Sequence, residues 1–223
     1  MVYRRTESAA KRQADKRARI LTAARDLVAD GGWAATQVDH VALKAGVATG
    51  TVYRHWSSKA ELCAEIVAIV SAREVGVVKA LVEADGSPAE KLESAIRVFA
   101  GRALRGRRLA YALIAEPVDP EVESVRLDYR AQLARCFECV LRQGIMRGAF
   151  PPLDPAVAAA CIVGAFMEGL VGPLAPAKGT GPRADRQLVE QITQFCLRAS
   201  IGTAGKSVSA SAQRPASSDP RSS

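Results

Sequence analysis

The feature that most constrains this chain is a pair of short helical segments joined by one glycine-containing turn. Residues 38–45 carry apolar side chains at helical spacing, and residues 49–56 can form a second short helix after the turn. The turn reads Ala45-Gly46-Val47-Ala48, in which the glycine permits a sharp change of direction and the valine can point inward. The pattern predicts a helix-turn-helix, a motif whose second helix lies in the major groove of duplex DNA.

A further helix is predicted on each side of this pair. From about Lys16, apolar residues recur at helical spacing as far as Val28, and Gly31-Gly32 then ends the segment. A long helix begins after Ser58 and continues the apolar periodicity. Residues 16–62 are therefore predicted to form a small helical domain that contains the helix-turn-helix.

Capping patterns mark where two of these helices are expected to begin. Thr36 stands three residues before Asp39, which indicates a capping box that uses Asp at the start of the second helix. Ser58 and Glu61 have the same spacing at the start of the long helix. In such a pattern the first side chain accepts a hydrogen bond from a backbone N–H that has no partner within the helix.

The rest of the chain is predicted to be helical, with no strand-like alternation. Breaks that would separate about five further helices fall near residues 105–106, 116–117, 148–155 and 172–182. The final segment, 202–223, is rich in Ser, Ala and Pro and is predicted to be a disordered tail. The expected fold is all-α: a three-helix amino-terminal domain and a larger helical domain over residues 63–201.

The positive charge is concentrated at the front of the chain. The net charge is +8, and residues 1–63 contain 11 basic and 6 acidic residues. Residues 1–15 are predicted to be a basic flexible arm, which either attracts a polyanion or is an ordinary solvated leader.

The exposed side of the second short helix offers groups that suit DNA. The side chains able to hydrogen-bond or to pair with phosphate are Thr49, Thr51, Tyr53, Arg54 and His55. Gly50 lets the backbone approach a phosphate closely, and Lys59 adds a positive charge at the start of the next helix. Val52 and Trp56 fall on the side expected to be buried.

Targeting and cysteine patterns favour a cytoplasmic protein. No run approaches the roughly 18 uncharged apolar residues of a membrane helix, and the basic start lacks the apolar core of a secretion signal. The five cysteines form an odd set in apolar helical stretches, which favours buried thiols in a reducing compartment: Cys63, Cys136, Cys139, Cys161 and Cys196. A single CxxC is too few ligands for zinc, so neither metal nor cofactor is expected, although redox sensing stays open.

The segment from Arg17 to Leu62 resembles the TetR/AcrR family of transcriptional regulators. The motifs that carry the resemblance are Gly31-Gly32-Trp33-Ala34-Ala35-Thr36, then Val41-Ala42-Leu43-Lys44-Ala45-Gly46-Val47, then the run from Gly50 to Leu62. The resemblance implies a homodimeric repressor that binds a palindromic operator in double-stranded DNA and responds to a small molecule not identified by the sequence.

The resemblance also assigns roles within the DNA-binding domain. It implies that Thr36 and Gln37 approach the DNA backbone, and that Tyr53, His55 and Lys59 hold phosphates. Thr49, Thr51 and Arg54 would then face base edges or nearby phosphates. Ala48 stands where the family commonly has a capping serine, so Thr49 is expected to cap the recognition helix one residue later.

For the larger domain the resemblance implies dimerisation and ligand binding. The expected dimer seam pairs residues 156–172, rich in small side chains, with residues 187–201, where Leu188, Ile192, Phe195 and Ala199 share one face. An internal core is the alternative interpretation of both helices. A ligand pocket is expected within residues 90–145 and the helix after Ser58, with four polar candidates that could equally be surface residues: Tyr111, Glu116, Tyr129 and Glu168.

Other functions remain as alternatives at this point. They are a helix-turn-helix activator, a redox-sensing regulator, a structural helical protein, and a nucleic-acid enzyme that uses the motif for targeting. An enzyme is disfavoured because no histidine follows His55 and because no phosphate-binding glycine loop or nucleophile elbow occurs. His40 and His55 lack neighbouring ligands, so neither is expected to bind metal or to act in catalysis.

Overall fold

The computed structural model describes residues 2–176 and 181–201 of the chain. This part is almost entirely helical and contains no strand, so the all-α prediction is confirmed. The helices found there are α1 (Val2–Ala35), α2 (Val38–Ala45), α3 (Thr49–His55), α4 (Lys59–Glu83), α5 (Pro88–Arg105), α6 (Arg107–Ile114), α7 (Pro120–Met146), α8 (Pro155–Leu174) and α9 (Pro182–Ile201). Five of them follow α4, as the sequence breaks predict. The tail predicted over residues 202–223 lies outside the described residues.

Helix α1 begins much earlier than the sequence analysis expects. It runs from Val2, so the structure differs from the flexible arm predicted over residues 1–15. Composition supplies the reason, because no glycine or proline occurs between Val2 and Asp30, and the segment is rich in alanine, arginine and lysine. Ile20 is fully buried and anchors the helix, so turns added before it carry no nucleation cost.

Gly32 kinks α1 where the sequence predicts its end, and Gly46 ends α2 as predicted. Gly32 has φ 72° and ψ −164°, which interrupts the helical geometry before Trp33. A Cβ atom at Gly32 would lie 1.6 Å from Nη2 of Arg108, so a side chain there would displace Arg108 and would strain the backbone at this positive φ. Gly46 has the left-handed φ of 64°, and its N–H donates to the carbonyl oxygen of Leu43.

The predicted cap of α4 is confirmed, whereas that of α3 is wrong. The Ser58 hydroxyl accepts a hydrogen bond from the backbone N–H of Glu61 over 3.0 Å. Helix α3 begins at Thr49, and its N-cap residue is Ala48, which has no side-chain group to offer. Thr49 therefore lies inside the helix instead of capping it.

The capping box predicted from Thr36 and Asp39 is also wrong. The N-cap residue of α2 is Gln37, whose side chain makes no capping bond. Thr36 is completely buried, and its hydroxyl donates to the carbonyl oxygen of Gly32 over 3.0 Å. The kink at Gly32 leaves its carbonyl oxygen free to accept this bond, so the Thr36 hydroxyl is already used before α2 begins.

Buried apolar side chains form two clusters that share α4. The first joins α1 to α4, includes Trp56 and extends to Ala112 and Leu113 of α6 and Val122 of α7. The second lies among α4 to α9 and includes Phe137 and Phe166. Ile66 in the early part of α4 belongs to the first cluster, and Val78 in the later part belongs to the second. A domain boundary drawn at residues 62 and 63 therefore cuts a helix that belongs to both clusters.

Helix α8 is more apolar than the sequence analysis allows for. Within the described residues it is the one helix long and apolar enough to cross a membrane, with a mean hydropathy of 1.8, and Glu168 interrupts its run of uncharged residues. Only 39% of this apolar window is buried within the chain. Phe166 and Leu170 are fully buried in the second cluster, whereas Val157 is 61% exposed.

The face predicted for α9 is divided between core and surface. Ile192 is buried against Gly169 of α8, where its Cδ1 atom lies 3.3 Å from the Cβ position of the glycine. Leu188 is half-buried against the same cluster, whereas Phe195 is 63% exposed. The four residues therefore do not form one seam, because α9 must also pack against its own chain.

Candidate nucleic-acid interface

Helix α3 presents a short polar face and buries the opposite one. Val52 and Trp56 are 1% and 2% exposed, as the sequence predicts. The outer surface contains Tyr53, which is 53% exposed, and the exposed Arg54. Of the other candidates on this helix and its cap, Ala48, Thr49 and Gly50 are exposed, and Thr51 and His55 are half-buried.

Trp56 fixes the end of α3 to both neighbouring helices. Its indole N–H donates to Oε2 of Glu65 on α4 over 2.6 Å. Arg17 of α1 donates to the same oxygen over 2.5 Å, and its guanidinium carbon lies 5.1 Å from the centre of the indole ring. The sequence analysis missed Arg17 and Glu65, because nothing in local spacing relates residues so far apart to the motif.

The two candidates that precede α2 differ in what they can reach. Gln37 is exposed, and its amide Nε2 donates to the carbonyl oxygen of Ala34 over 3.0 Å. Thr36 has no exposed surface, so its side chain does not reach the surface in this arrangement.

Lys59 and His55 lie at the edge of the α3 surface. The Lys59 ammonium donates to the carbonyl oxygen of Trp33 over 3.0 Å, which leaves two of its three N–H donors for another acceptor. His55 packs its ring against Trp56 with the ring centres 5.4 Å apart. Its Nε2 atom is buried and has no hydrogen-bond partner, so this nitrogen does not face a phosphate here.

Hydrogen bonds connect the end of α1 to α6 and α7 beneath this surface. Trp33 donates its indole N–H to the carbonyl oxygen of Ala112 over 2.8 Å. Arg126 of α7 donates to the same carbonyl oxygen and to that of Glu116. Arg108 of α6 donates to the carbonyl oxygen of Gly31 over 2.9 Å. The helix-turn-helix region is thereby attached to α6 at two adjacent points.

The four ligand candidates are not brought together. Glu116 accepts two hydrogen bonds from Arg108, at 2.8 and 3.1 Å, and the Tyr111 ring centre lies 5.9 Å from the carbon of the same guanidinium. Glu168 is exposed on a groove between α7 and α8. Tyr129 alone lines the cavity described next, where burial, together with the negative charge of Glu74, raises the pKa of its hydroxyl.

That cavity has a volume of about 390 Å³ and is bounded by five helices, α1, α4, α5, α6 and α7. Buried apolar residues line its interior, among them Phe99, Leu113 and Ile114. Charged residues surround its opening, namely Arg25, Arg73, Glu74, Arg102 and Arg105. The sequence analysis places a pocket among these helices but identifies only Tyr129 of its lining.

The cysteines divide into buried and exposed groups. Cys63 and Cys196 are buried, and burial raises the pKa of each thiol to about 11. Cys136 is half-buried, whereas Cys139 and Cys161 are exposed, so the expectation of five buried thiols is wrong for these. Among the described residues no group of histidine, cysteine or acidic side chains is arranged to hold a metal ion.

Two sequence models of one family match the chain. The model described as bacterial regulatory proteins, tetR family, matches residues 20–66. The model described as tetracyclin repressor-like, C-terminal domain, matches residues 85–170. The two matches together cover more than half of the chain. No curated protein sequence matches it.

Solved structures of transcriptional regulators have the same fold. A TetR/AcrR family regulator from Thermobifida fusca is 24% identical with a TM-score of 0.66, over 82% of this chain and 97% of that one. FadR from Bacillus subtilis, in complex with stearoyl-CoA, is 19% identical with a TM-score of 0.70, over 81% and 97%. SmeT, the repressor of the Stenotrophomonas maltophilia multidrug efflux pump SmeDEF, is 19% identical with a TM-score of 0.68, over 85% and 94%.

The helix-turn-helix at the front, the helical domain behind it and the matches to both therefore agree, and the chain belongs to the TetR/AcrR family of transcriptional regulators.

Proposed function

We propose that this regulator is a homodimeric repressor that binds a palindromic operator through α3 and leaves it when a small molecule binds among α4 to α7. The observation that carries the proposal is the two-sided character of α3. Tyr53 and Arg54 point outward, while Val52 and Trp56 are buried on the other side. A helix held in this way can enter the major groove without losing its own packing.

The proposed DNA contacts are those candidates whose groups reach the surface. Thr49, Thr51 and Arg54 face base edges or the nearest phosphates, and Tyr53 and Lys59 bind phosphates. Gln37, Ala48 and Gly50 bring exposed backbone or amide groups to the DNA backbone. Thr36 and His55 are left out of this set because the Thr36 side chain and the His55 Nε2 atom are buried. Residues 16–62 act as the DNA-binding domain and 63–201 as the regulatory domain.

Dimerisation is proposed at the uncovered sides of α8 and α9. Val157 and Phe195 are large apolar residues exposed on these helices, and several small residues of α8 are exposed with them: Ala156, Ala160, Cys161 and Gly164. Small side chains allow two helices to approach closely, and an apolar surface of this kind on a water-soluble protein marks an interface. Two copies of the chain would present two copies of α3, as a palindrome requires.

Release by a ligand is proposed to act through α6. Leu109, Ala110 and Leu113 of this helix line the cavity. The neighbouring Ala112 carbonyl and the Arg108 guanidinium bond to Trp33 and Gly31 at the end of α1. A ligand that displaces α6 changes these bonds, and with them the position of α3 relative to that of the partner protomer.

Two structures with the same fold support a ligand-responsive repressor. FadR was solved with stearoyl-CoA, and SmeT is described as the repressor of a multidrug efflux pump. Both have this fold.

Selection of bound duplexes from random sequence tests the proposal directly. The purified protein should enrich a palindrome whose half-sites lie about one helical turn apart. The affinity for it should fall steeply with salt, because phosphate contacts release counterions. Arg54→Ala should change which bases are enriched. A protein that enriches no sequence, or a single half-site only, contradicts the proposal, and a promoter carrying the palindrome then distinguishes repression from activation.

A further inference from the structure

We propose that the inducer is an amphipathic anion, an apolar body that carries one carboxylate, bound in the cavity among α4 to α7. This inference rests on the function proposed above and specifies the chemistry of its ligand. It follows from two properties of the cavity, an apolar interior and an opening with an excess of arginine.

The interior of the cavity suits an apolar body. Phe99, Leu113 and Ile114 line it and are each at most 8% exposed. The half-buried Leu109 and Ala110 of α6 complete the wall on the side that leads to Trp33. The volume of about 390 Å³ lies within the roughly 300–1,000 Å³ that is typical of small-molecule sites.

A narrower groove extends this apolar space towards α1. It has a volume of about 90 Å³ and shares Arg25, Ile69 and Val70 with the main cavity. Leu21, Thr22 and Ile66 complete its lining. The shared lining places this groove next to the main cavity, between α1 and α4.

The opening has four arginines and a single carboxylate. Arg102 makes a two-pronged ion pair with that carboxylate, Glu74, through bonds of 2.7 and 2.6 Å, so these two charges cancel. Arg25 is paired with Asp26 over 2.8 Å. Arg73 and Arg105 are exposed and make no ion pair with any described residue. Two positive charges are thus left for a ligand, which favours an anion and repels a cation.

One hydroxyl in the wall also lacks a partner. Ser71 lines the cavity and is 4% exposed, and its Oγ atom is buried without a hydrogen bond. Buried polar groups in proteins are nearly always satisfied, so an acceptor oxygen of the ligand suits this position. The carboxylate supplies the negative charge for the arginines, and a second acceptor oxygen of the ligand would satisfy Ser71.

Three probes with the same ten-carbon chain separate the contributions of chain and charge. Binding of decanoate, decanol and decyltrimethylammonium is measured by calorimetry on the full-length protein without DNA. We expect decanoate to bind about tenfold more tightly than decanol, because an arginine–carboxylate contact contributes more than a neutral one. We expect decyltrimethylammonium to bind more weakly than either. Equal binding of all three, tighter binding of the cation, or no binding of decanoate overturns the proposal.

Substitution at the opening then locates the charge. The double variant Arg73→Ala with Arg105→Ala removes exposed side chains, so it should keep the helical spectrum of the wild type. It should bind decanoate about tenfold more weakly while its affinity for decanol stays the same. Arg135→Ala, an exposed arginine of α7 outside the cavity, is the matched control and should change neither affinity. If the double variant and the control lose equal affinity for decanoate, the assignment of the carboxylate to Arg73 and Arg105 is overturned.

Separate measurements of decanoate binding and of operator binding distinguish a failure of this inference from a failure of the proposed function. Decanoate that binds a protein without operator affinity supports the ligand site and contradicts the repressor. Operator binding with no decanoate binding leaves the repressor intact and removes the ligand class.

Discussion

Trp33 and Ala112, separated by 79 positions in the chain, are joined by a buried hydrogen bond of 2.8 Å between the indole N–H and the backbone carbonyl. Trp33 ends the DNA-binding part of α1, and Ala112 lies in α6 beside the cavity. The same carbonyl oxygen accepts a bond from Arg126, so three helices meet at one atom. In the proposed release mechanism, this contact would transmit a displacement of α6 to the end of α1.

Trp33→Phe should loosen that contact without destroying the fold. The aromatic ring is kept, but the hydrogen bond is lost, and Arg126 still satisfies the Ala112 carbonyl. We expect the free energy of unfolding to fall by about 1 to 2 kcal/mol. Amide hydrogen exchange should become faster in α6 and in residues 31–35. Tyr111→Phe, on the same helix, is the control, and equal exchange in both variants contradicts a coupling role for Trp33.

The phosphate contacts proposed for α3 and α4 predict a loss of operator affinity. Tyr53→Phe and Lys59→Ala should each weaken binding by roughly 1 kcal/mol, because each removes one hydrogen-bond donor from a phosphate. For Lys59→Ala, the logarithm of the binding constant should also fall less steeply with the logarithm of salt concentration. Lys79→Ala removes an exposed lysine of α4 that pairs with Glu83 outside this surface, so it should bind like the wild type. Wild-type affinity in both test variants places the phosphate contacts elsewhere.

Local patterns predicted the helices of this surface. Backbone geometry and contacts between distant residues account for what the patterns missed. The periodicity of residues 38–56 correctly predicted the helix-turn-helix with Val52 and Trp56 buried. A helix as short as α3 has few positions from which an apolar side chain can reach the core. Thr36 was wrongly predicted to cap α2, because its hydroxyl instead donates to the carbonyl oxygen of Gly32, which the kink leaves available. No local signal relates Arg73 to Arg105, since only the packing of α4 against α5 brings both to one opening.

The anchor of α3 at Glu65 should be required for both stability and DNA binding. Glu65→Ala leaves the part-buried Trp56 indole N–H without an acceptor, at a cost of about 1 to 3 kcal/mol. Thermal unfolding measures that loss, and operator affinity should fall with it because the end of α3 is released. Glu65→Gln keeps an acceptor oxygen for Trp56 and removes the charge opposite Arg17. It should recover most of the stability, and a glutamine variant as unstable as the alanine one contradicts this explanation.

The proposed dimer should depend on the exposed apolar residues of α8 and α9. Phe195→Asp places a charge within the interface, where it has no partner. We expect the dissociation constant of the dimer to rise by on the order of a hundredfold. Sedimentation at several protein concentrations measures this change. Leu43→Asp makes the same replacement at an apolar residue of α2 that is 82% exposed, and it should leave the dimer intact. Dissociation in both variants, or in neither, contradicts an interface at Phe195.

Thiol labelling tests the same interface by chemistry. Cys139 and Cys161 are exposed on one chain, whereas Cys63 and Cys196 are buried with the pKa of each thiol raised to about 11. At pH 8 the buried thiols should react only after unfolding, because little thiolate forms in the folded state. Their folded pKa values lie above the unfolded value, so the stability they contribute is full below pH 9 and declines as the pH rises towards 11.

Of the two exposed thiols, only Cys161 lies on the proposed dimer surface. It should therefore be protected in the wild-type dimer and react rapidly in the Phe195→Asp variant, while Cys139 reacts at the same rate in both. Mass spectrometry of the labelled peptides distinguishes the two positions. Equal reactivity of Cys161 in the two proteins, when sedimentation shows that the variant has dissociated, would contradict the proposal that a second copy covers α8.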